Sequence, residues 1–340
     1  MARAFFSSLL SLALAALVAQ AAPSFLAVGP SATAGSFDLF SLTADGAKGK
    51  ISVTFPVDAR EVAQDGAFGC GRGYCLFLTQ IPAAKQTILR NFSFFAPSTL
   101  LGTYTLPVLA YNLNTNEAEM DDDFYGITII QDHTKTPAAW VVAKLGDAGK
   151  VTPILDISAA VGATGSIAQG ATAYCGAPVG LLSVAVSRRG AGAGDTDTML
   201  TVDVAAGKIV NTVQLNMPAL ASHYATCGGA EGALGVGGAM VVSSGFGRHA
   251  VVVGAVDQAT GAFAPVDAAD LPAAGAGAVP YDISPIMAGV SPFSKSYAAV
   301  LYSGFNRLPG LLFVSNPANG RGSATVAPLQ VLVFGIAEAF

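Results

Sequence analysis

The dipeptide Cys-Gly recurs along this chain, and its spacing points to a repeat. It occurs at Cys70-Gly71, Cys175-Gly176 and Cys227-Gly228. The second interval, 52 residues, is about half of the first, 105 residues. A fixed period of this length is typical of structural units that cannot bury their apolar face alone and must stack on their neighbours. We therefore expect one repeat architecture to run along most of the chain.

The best-defined repeat, residues 171–222, contains four short runs rich in Val, Leu, Ile and Thr. They are Ala171 to Cys175, Leu181 to Ser187, Met199 to Val204 and Lys208 to Leu215. Runs of this length, separated by glycine-containing turns, predict a meander of four antiparallel strands. The apolar runs are too short and too β-branched for a helical solenoid. The sequence therefore predicts an all-β fold.

A copied loop supports internal repetition. Ser244-Gly245-Phe246-Gly247-Arg248 recurs as Ser303-Gly304-Phe305-Asn306-Arg307, each time between two apolar runs. Hairpins of one kind are expected near residues 46, 115, 147, 206, 259 and 319. Residues 82–105 are treated as an insertion, although strands hidden there would make a seventh sheet the alternative count.

The segment from Val202 to Ile209 joins an apolar strand ending in Asp203 to a second strand through a turn that holds Gly207. This pattern resembles the β-propeller superfamily in general. No narrower signature is present: the chain lacks a Trp-Asp dipeptide and has a single tryptophan, Trp140. A right-handed β-helix and a pair of β-sandwiches are the all-β alternatives.

The resemblance implies a propeller of about six four-stranded blades. The first repeat is one strand short and the chain ends with an extra run, Val331 to Ile336, so pairing between them would close the ring. The expected repeats span residues 24–66, 67–120, 121–170, 171–222, 223–276 and 277–328, with a closing strand in 329–340.

The N-terminus has the features of a signal peptide, residues 1–21. Arg3 precedes an apolar run, and Ala19-Gln20-Ala21 resembles a cleavage site. No later segment reaches the ~20 apolar residues of a spanning helix. We therefore expect a secreted, extracellular protein with a single propeller domain over residues 22–340 and no membrane span after the signal is removed.

Composition excludes several classes of partner. The chain is 52% hydrophobic and 11% charged, with a net charge of −5. Such a composition is not that of a disordered chain, and neither nucleic acid nor an anionic membrane would be attracted to it. We expect a monomer.

Four cysteines in an exported chain favour disulfides over metal binding. A small loop closed by Cys70 and Cys75 is plausible because Gly71 and Gly73 relax the backbone between them. Cys175 and Cys227 occupy equivalent places in adjacent repeats and form either a second disulfide or two buried thiols.

Asn91 begins an Asn-Phe-Ser glycosylation signal. If it is used, the segment 82–101 lies on the outside of the fold.

Candidate ligand-binding residues are sought near the repeat starts, where a propeller has its channel mouth. Four tyrosines recur there, with one histidine and one aspartate beside them: Tyr125, Tyr174, Tyr224, Tyr281, His223 and Asp282. Phenol rings around a channel could stack on a sugar or an aromatic ligand. The alternative is that each tyrosine packs between blades.

The densest charge includes Glu119, Asp121, Asp122 and Asp123. Clustered carboxylates favour Ca²⁺, whereas the absence of EF-hand spacing favours a solvated loop. No other cofactor is indicated, and the sequence holds neither a His-Glu-x-x-His pair nor a Gly-x-Ser-x-Gly elbow.

Two functions of different classes remain. The favoured one is a non-catalytic secreted binding module for an extracellular glycan, peptide or protein ligand. The alternative is a propeller hydrolase or lactonase with a metal in the central channel, which requires inward-facing polar groups from at least three blades. Only Asp282 is a candidate for such a group.

Overall fold

The computed structural model describes most of the chain beyond the N-terminal segment. The described residues are 24–71, 73–93, 99–115, 126–175, 180–187, 198–215, 220–227, 239–245, 250–257, 259–271, 286–288, 297–302, 310–315 and 324–338. The expected signal peptide lies outside these ranges.

The described residues form six four-stranded antiparallel sheets in a propeller arrangement. The predicted all-β class and the resemblance to β-propellers are thus confirmed. Each sheet is an up-and-down meander, and sheet 1 takes its first strand from the C-terminal end of the chain. We number the sheets along the chain and give their strands in hydrogen-bonded order.

Sheet 1 contains β24 (Gly335–Glu338), β1 (Ser24–Pro30), β2 (Ser36–Thr43) and β3 (Lys48–Pro56). Sheet 2 contains β4 (Val62–Gly71), β5 (Tyr74–Ile81), β6 (Gln86–Ser93) and β7 (Leu100–Leu106). Sheet 3 contains β8 (Leu109–Thr115), β9 (Gly126–Asp132), β10 (Ala139–Leu145) and β11 (Val151–Asp156).

Sheet 4 contains β12 (Ser166–Cys175), β13 (Leu181–Ser187), β14 (Thr198–Asp203) and β15 (Lys208–Gln214). Sheet 5 contains β16 (Leu220–Cys227), β17 (Ala239–Gly245), β18 (Ala250–Val256) and β19 (Phe263–Asp270). Sheet 6 contains β20 (Ile286–Ala288), β21 (Tyr297–Tyr302), β22 (Gly310–Ser315) and β23 (Thr325–Pro328). Among the described residues, short helical turns cover Pro82–Ala84 and Asp147–Gly149, and an α-helix, α1, covers Ser158–Val161.

The first strand of each sheet is its inner strand. Inner strands that follow one another along the chain are in contact, and β24 contacts both β4 and β20. Because the strands of a sheet alternate in direction, the inner strands all begin at one face of the molecule, the start face, and end at the other, the end face.

Apolar side chains pack between neighbouring sheets. One cluster of phenylalanines lies between sheets 1 and 2, with Phe55, Phe77 and Phe92 at its centre. Similar clusters lie between sheets 2 and 3, between sheets 3 and 4, and between sheets 6 and 1. Sheets buried on both faces need apolar residues on successive positions, which explains the near-continuous apolar sequence of the middle strands, such as β5.

A buried ion pair also joins sheets 1 and 2. The Arg90 guanidinium in β6 donates to both carboxylate oxygens of Glu61 at 2.7 and 2.8 Å, to Thr79 Oγ1 at 3.0 Å and to the Pro56 carbonyl at 3.1 Å. Burial raises the pKa of Glu61, but the hydrogen bonds from Arg90 and Thr79 outweigh it and bring the pKa below its ordinary value. The pair fixes the β3–β4 connection against the middle of sheet 2.

Glycines in the turns before the outer strands contact the preceding sheet. A Cβ on Gly149 would lie 2.7 Å from Tyr104 Cβ in sheet 2, and one on Gly261 would lie 2.0 Å from the Gln214 carbonyl in sheet 4. The same contact occurs between Gly46 of sheet 1 and the Pro328 carbonyl of sheet 6, at 2.3 Å. All three glycines have positive φ. Close approach and backbone conformation therefore both require glycine in these turns.

The second and third sheets differ from the predicted repeats. The region 82–105 holds β6 and β7 of sheet 2 and is not an insertion. The hairpin expected near residue 115 joins the first two strands of sheet 3, β8 and β9, whereas the other five join the last two strands of a sheet. The equivalent hairpin of sheet 2 joins β6 to β7. The last paired strand begins at Gly335, four residues after the predicted Val331.

A search of the described residues finds no helix with the length and apolar character that crossing a bilayer requires.

Candidate ligand-binding site

At the end face, side chains bond the inner strands of sheets 2, 3 and 4 to one another. Thr115 Oγ1 donates to the Cys70 carbonyl of β4 at 2.8 Å. The neighbouring Asn114 points the other way, and its Nδ2 donates to Thr172 Oγ1 of β12 at 2.7 Å. Its Oδ1 accepts the backbone N–H of Tyr174 at 3.2 Å. The end of β8 is thereby fixed between β4 and β12.

A disulfide joins Cys70 to Cys75 at the same face, as the sequence predicts. The two residues are directly opposite one another in β4 and β5, with Cα atoms 4.0 Å apart. Both cysteines are buried. Cys175 and Cys227 end the inner strands of sheets 4 and 5, and their pairing stays a prediction.

Some of the predicted ligand-binding residues lie in the described inner strands. Tyr174 lies in β12, half-buried against the core between sheets 3 and 4. Tyr224 and His223 belong to β16, the next inner strand. Tyr125, Tyr281 and Asp282 lie outside the described residues. Binding by these six residues stays a prediction.

The proposed calcium ligands Glu119, Asp121, Asp122 and Asp123 also lie outside the described residues. Among the residues that the structure describes, no three His, Cys, Asp or Glu side chains come together as a metal site.

Asn91 lies in the middle of β6, paired with Leu76 and Gly102, and is only 8% exposed. This position does not fit the outside segment that glycosylation of Asn91 would require. Its side-chain Oδ1 is buried without a hydrogen-bond partner. A glycan could reach this amide only before sheet 2 folds.

At the start face, sheet 3 carries a second group of side chains, the Tyr111–Gln131–Trp140 patch. Gln131 in β9 and Trp140 in β10 are opposite one another in the ladder. The Tyr111 hydroxyl of β8 donates to Gln131 Oε1 at 3.3 Å, and its ring lies 5.4 Å from the Trp140 ring, tilted by 57°. All three side chains are half-buried.

The chain after β11 hydrogen-bonds both backbone polar groups of Trp140. Its N–H donates to Ser158 Oγ at 2.9 Å, and its carbonyl accepts the Ile157 N–H at 2.9 Å. Ser158 Oγ in turn donates to Asp156 Oδ1 at 2.6 Å, while Lys135 Nζ bonds the other oxygen of Asp156 at 2.9 Å. The Ser158 hydrogen bond, followed by that of Lys135, lowers the pKa of Asp156 to about 2. Asp156 therefore stays ionised at any physiological pH.

Three other ionisable groups lie in or near this patch: Asp132, Tyr111 and His133. Asp132 Oδ1 accepts the Thr134 N–H and hydroxyl at 3.0 and 2.6 Å, which lowers the pKa of Asp132. Burial raises the pKa of the Tyr111 phenol. His133 Nε2 is buried and unpartnered within the described part of the molecule.

The sequence analysis did not single out Tyr111 or Gln131, and it used Trp140 only to exclude a tryptophan in every blade. The sequence holds one signal: Gln131 and Trp140 flank the polar stretch that contains His133, and residues that flank a hairpin turn lie opposite one another. The contribution of Tyr111 depends on a bulge at Asn112, where φ is +59°, and no pattern in the sequence predicts it.

No protein-family model and no curated protein matches this chain. Several solved structures are similar to it at low identity. An α-L-arabinofuranosidase from Fusarium graminearum is 12% identical over 90% of this chain and 89% of its own, with a TM-score of 0.45.

An apocarotenoid oxygenase from Synechocystis is 11% identical over 88% of this chain and 72% of its own, with a TM-score of 0.44. An oligogalacturonate lyase in complex with manganese is 13% identical over 85% and 69%, with a TM-score of 0.40. At such identities and scores these likenesses say nothing about what this chain binds or whether it is an enzyme.

Proposed function

We propose that this chain is a secreted β-propeller module that binds an extracellular glycan, peptide or protein ligand. The observation that carries the proposal is the bonding of inner strands by Asn114 and Thr115, next to the Cys70–Cys75 disulfide. A scaffold whose strand ends are held in place can present the loops that leave it in a defined geometry. The connections after β4, β8 and β12 all leave the scaffold beside these bonds.

We also propose that the six sheets close into one ring. Pairing of β24 with β1 supports it, as does the apolar cluster between sheets 6 and 1. The contact of Gly46 with Pro328 supports it further, because it repeats the contacts of Gly149 and Gly261 at other junctions. An interface of one kind around the molecule is what a closed propeller requires.

An engineered disulfide tests the closure. Ala27 and Ile336 are directly opposite in β1 and β24, so the double variant Ala27→Cys with Ile336→Cys is expected to form a bond detectable by peptide mapping. Ala27→Cys with Ala337→Cys is the matched control, because neighbouring residues of a strand point to opposite faces. A bond in the control, or none in the first variant, would contradict this pairing.

Secretion is supported by the Cys70–Cys75 disulfide, since such bonds persist mainly in oxidising compartments. Expression of the full chain in a secreting host tests it. We expect the mature protein in the medium to begin at Ala22, read by mass spectrometry. Retention inside the cell with residues 1–21 intact would contradict secretion.

Binding is tested with the secreted protein on a glycan array and against extracellular-matrix proteins. Tyr174→Ala is expected to weaken binding if the end face carries the site. Tyr104→Ala is the matched control, because Tyr104 is also half-buried but lies in the outer strand of sheet 2. Failure to bind any ligand of either class would contradict the binding role.

A further inference from the structure

The Tyr111–Gln131–Trp140 patch has two hydrogen-bond donors that lack a partner among the described residues, the Trp140 indole N–H and the Gln131 side-chain NH₂. Neither donor is one of the fully buried unpartnered atoms of the described residues, which are Asn91 Oδ1, His133 Nε2 and Thr201 Oγ1. Both side chains are half-buried. Within the described part of the molecule, the two donors are therefore available to a ligand.

The patch is also held in position before any ligand arrives. Ser158 and Ile157 hydrogen-bond the backbone N–H and carbonyl of Trp140, and the Tyr111 hydroxyl donates to Gln131 Oε1, which leaves the NH₂ group of the same amide without a partner among the described residues. Binding to groups already held in one conformation costs less conformational entropy than binding to mobile side chains.

The charges near the patch favour a neutral ligand. Lys135 is paired with Asp156, and the carboxylate of Asp132 accepts two hydrogen bonds from Thr134. These arrangements leave no unpaired cation for an anionic ligand and no unengaged carboxylate for a cationic one among the described neighbours of Trp140. What remains is aromatic surface bordered by neutral donors.

We infer that the Tyr111–Gln131–Trp140 patch binds the pyranose ring of a neutral saccharide. The faces of aromatic rings carry partial negative charge and attract the apolar C–H face of a sugar, while the indole N–H and the amide donate to its hydroxyls. The inference rests on the proposed binding function and specifies a ligand class and a site at the start face, separate from the inner-strand bonds at the end face.

The single tryptophan makes the test direct, because the intrinsic indole fluorescence of the chain comes from Trp140 alone. The full secreted protein is titrated with neutral tetrasaccharides derived from cellulose, β-1,3-glucan, xylan, mannan and chitin. We expect a saturable change in emission with at least one of them. The same protein and saccharides are then measured by calorimetry, which also serves variants that lack the fluorophore.

Variants separate the roles within the patch. Trp140→Ala and Tyr111→Ala are expected to weaken the affinity about tenfold or more, and Gln131→Ala by a smaller factor. Tyr111→Phe keeps the ring but releases Gln131, so it should behave like Gln131→Ala. Tyr104→Phe is the control expected to bind normally. Gln131→Ala removes no aromatic packing and keeps the test valid if Trp140→Ala fails to fold, as judged by circular dichroism.

The outcomes distinguish this inference from the proposed function. Saccharide binding that is lost in the patch variants but kept in Tyr174→Ala supports the inference and the binding function, and it assigns the site to the start face instead of the end face. Binding of any ligand with unchanged Trp140 emission and unchanged affinity in Gln131→Ala and Tyr111→Ala overturns the inference and leaves the binding function standing. If no saccharide alters the emission and no glycan or protein ligand binds on the arrays, both are overturned.

Discussion

Arg90 shows how a single residue can determine a junction between sheets. Its side chain is 4% exposed and is satisfied by Glu61, Thr79 and the Pro56 carbonyl, while its guanidinium also lies 5.5 Å from the centre of the Phe55 ring. A buried charge is tolerated only when it is paired and hydrogen-bonded. Removal of either partner would leave the other charged and desolvated.

We therefore predict that Glu61→Gln or Arg90→Met lowers the free energy of unfolding by about 3 to 5 kcal/mol. Urea denaturation of the purified variants measures the change. Asp58→Asn is the matched control, since the nearby Asp58–Arg60 pair is exposed and its loss should have little effect. Equal losses in the three variants would show that burial does not set the strength of the Glu61–Arg90 pair.

Two buried carboxylates make the stability depend on pH. Burial raises the pKa of Asp38 and of Glu61, but hydrogen bonds, from Lys48 and Thr54 in one case and from Arg90 and Thr79 in the other, bring both below the ordinary values of 3.8 and 4.5. The unfolded chain then binds protons at a higher pH than the folded one. The stabilisation is complete above pH 4.5 and is lost as the pH falls through 4.5 and 3.8 toward the folded-state values.

We accordingly predict that the urea midpoint is constant from neutral pH down to about 5 and then falls steeply. The Glu61→Gln variant should show a shallower fall because one of the two carboxylates is absent. A urea midpoint that rises on acidification would contradict the lowered pKa values of Asp38 and Glu61.

Two turn glycines of sheet 1 allow backbone conformation to be separated from packing. Gly46 and Gly35 both have positive φ, +80° and +71°, but a Cβ would meet the Pro328 carbonyl at 2.3 Å in the first case and nothing within 4 Å in the second. We predict that Gly35→Ala loses about 1 kcal/mol from backbone conformation alone. Gly46→Ala should lose about 1 to 3 kcal/mol more, from overpacking against sheet 6. Thermal unfolding compares the two, and similar losses would show that the junction does not resist a methyl group.

At the scale of elements, the outer strands share an irregularity. In sheets 1 to 5, as far as they are described, the ladder between the third and fourth strands shifts by a residue. The residues skipped at the shared position are Ser52, Leu101, Ile154, Val210 and Val266. Bulges bend an outer strand and interrupt the row of backbone groups that would pair with another chain. Pro153 and Pro265 lie beside two of them and remove further donors.

Two of the residues that the ladders skip, Leu101 and Val210, are exposed apolar residues of outer strands. Val210, skipped in the ladder of sheet 4, is 46% exposed, whereas the adjacent Ile209 packs against the core between sheets 3 and 4. We predict that Val210→Lys changes the free energy of unfolding by less than about 0.5 kcal/mol and that Ile209→Lys lowers it by about 1 to 3 kcal/mol. Urea titration measures both, and the reverse order would show that the register is shifted.

Strands differ in how well the sequence predicts them. The near-continuous apolar run of β13 was predicted with the observed bounds, Leu181–Ser187, because both faces of this strand are buried. β6 was missed because Arg90 and Asn91 interrupt its apolar run. Arg90 is buried only because Glu61 pairs with it from 29 residues away, a contact that local patterns do not contain. The Tyr111–Gln131–Trp140 patch was missed for a related reason: it is assembled from three strands and a bulge.

For the whole molecule, the last residues contribute to two sheet junctions. Leu329, Val333 and Ile336 are buried in the cluster between sheets 6 and 1, and the Phe334 N–H donates to the Val28 carbonyl at 2.7 Å. Gly335 is pressed against Phe68 of sheet 2. The segment 329–338 thus packs at the junctions of sheet 1 with sheet 6 and with sheet 2.

We predict that deletion of residues 329–340 abolishes cooperative unfolding or yields insoluble protein, because it exposes the apolar faces of β1 and β22 and leaves β1 with an open edge. Deletion of residues 339–340 alone retains β24 and serves as the control. Size-exclusion chromatography and calorimetry measure solubility and cooperative unfolding. If the longer deletion leaves a soluble, cooperatively folded protein, this segment is dispensable.

Phe25 and Glu338 lie opposite one another in the β1–β24 ladder, so the polypeptide starts and finishes its described course at one spot. A short linker could join these two ends, and new termini could be placed in any surface turn, such as the one between β14 and β15. A circular permutant made in this way would keep each sheet intact. The fold would then not depend on where in the ring the polypeptide begins.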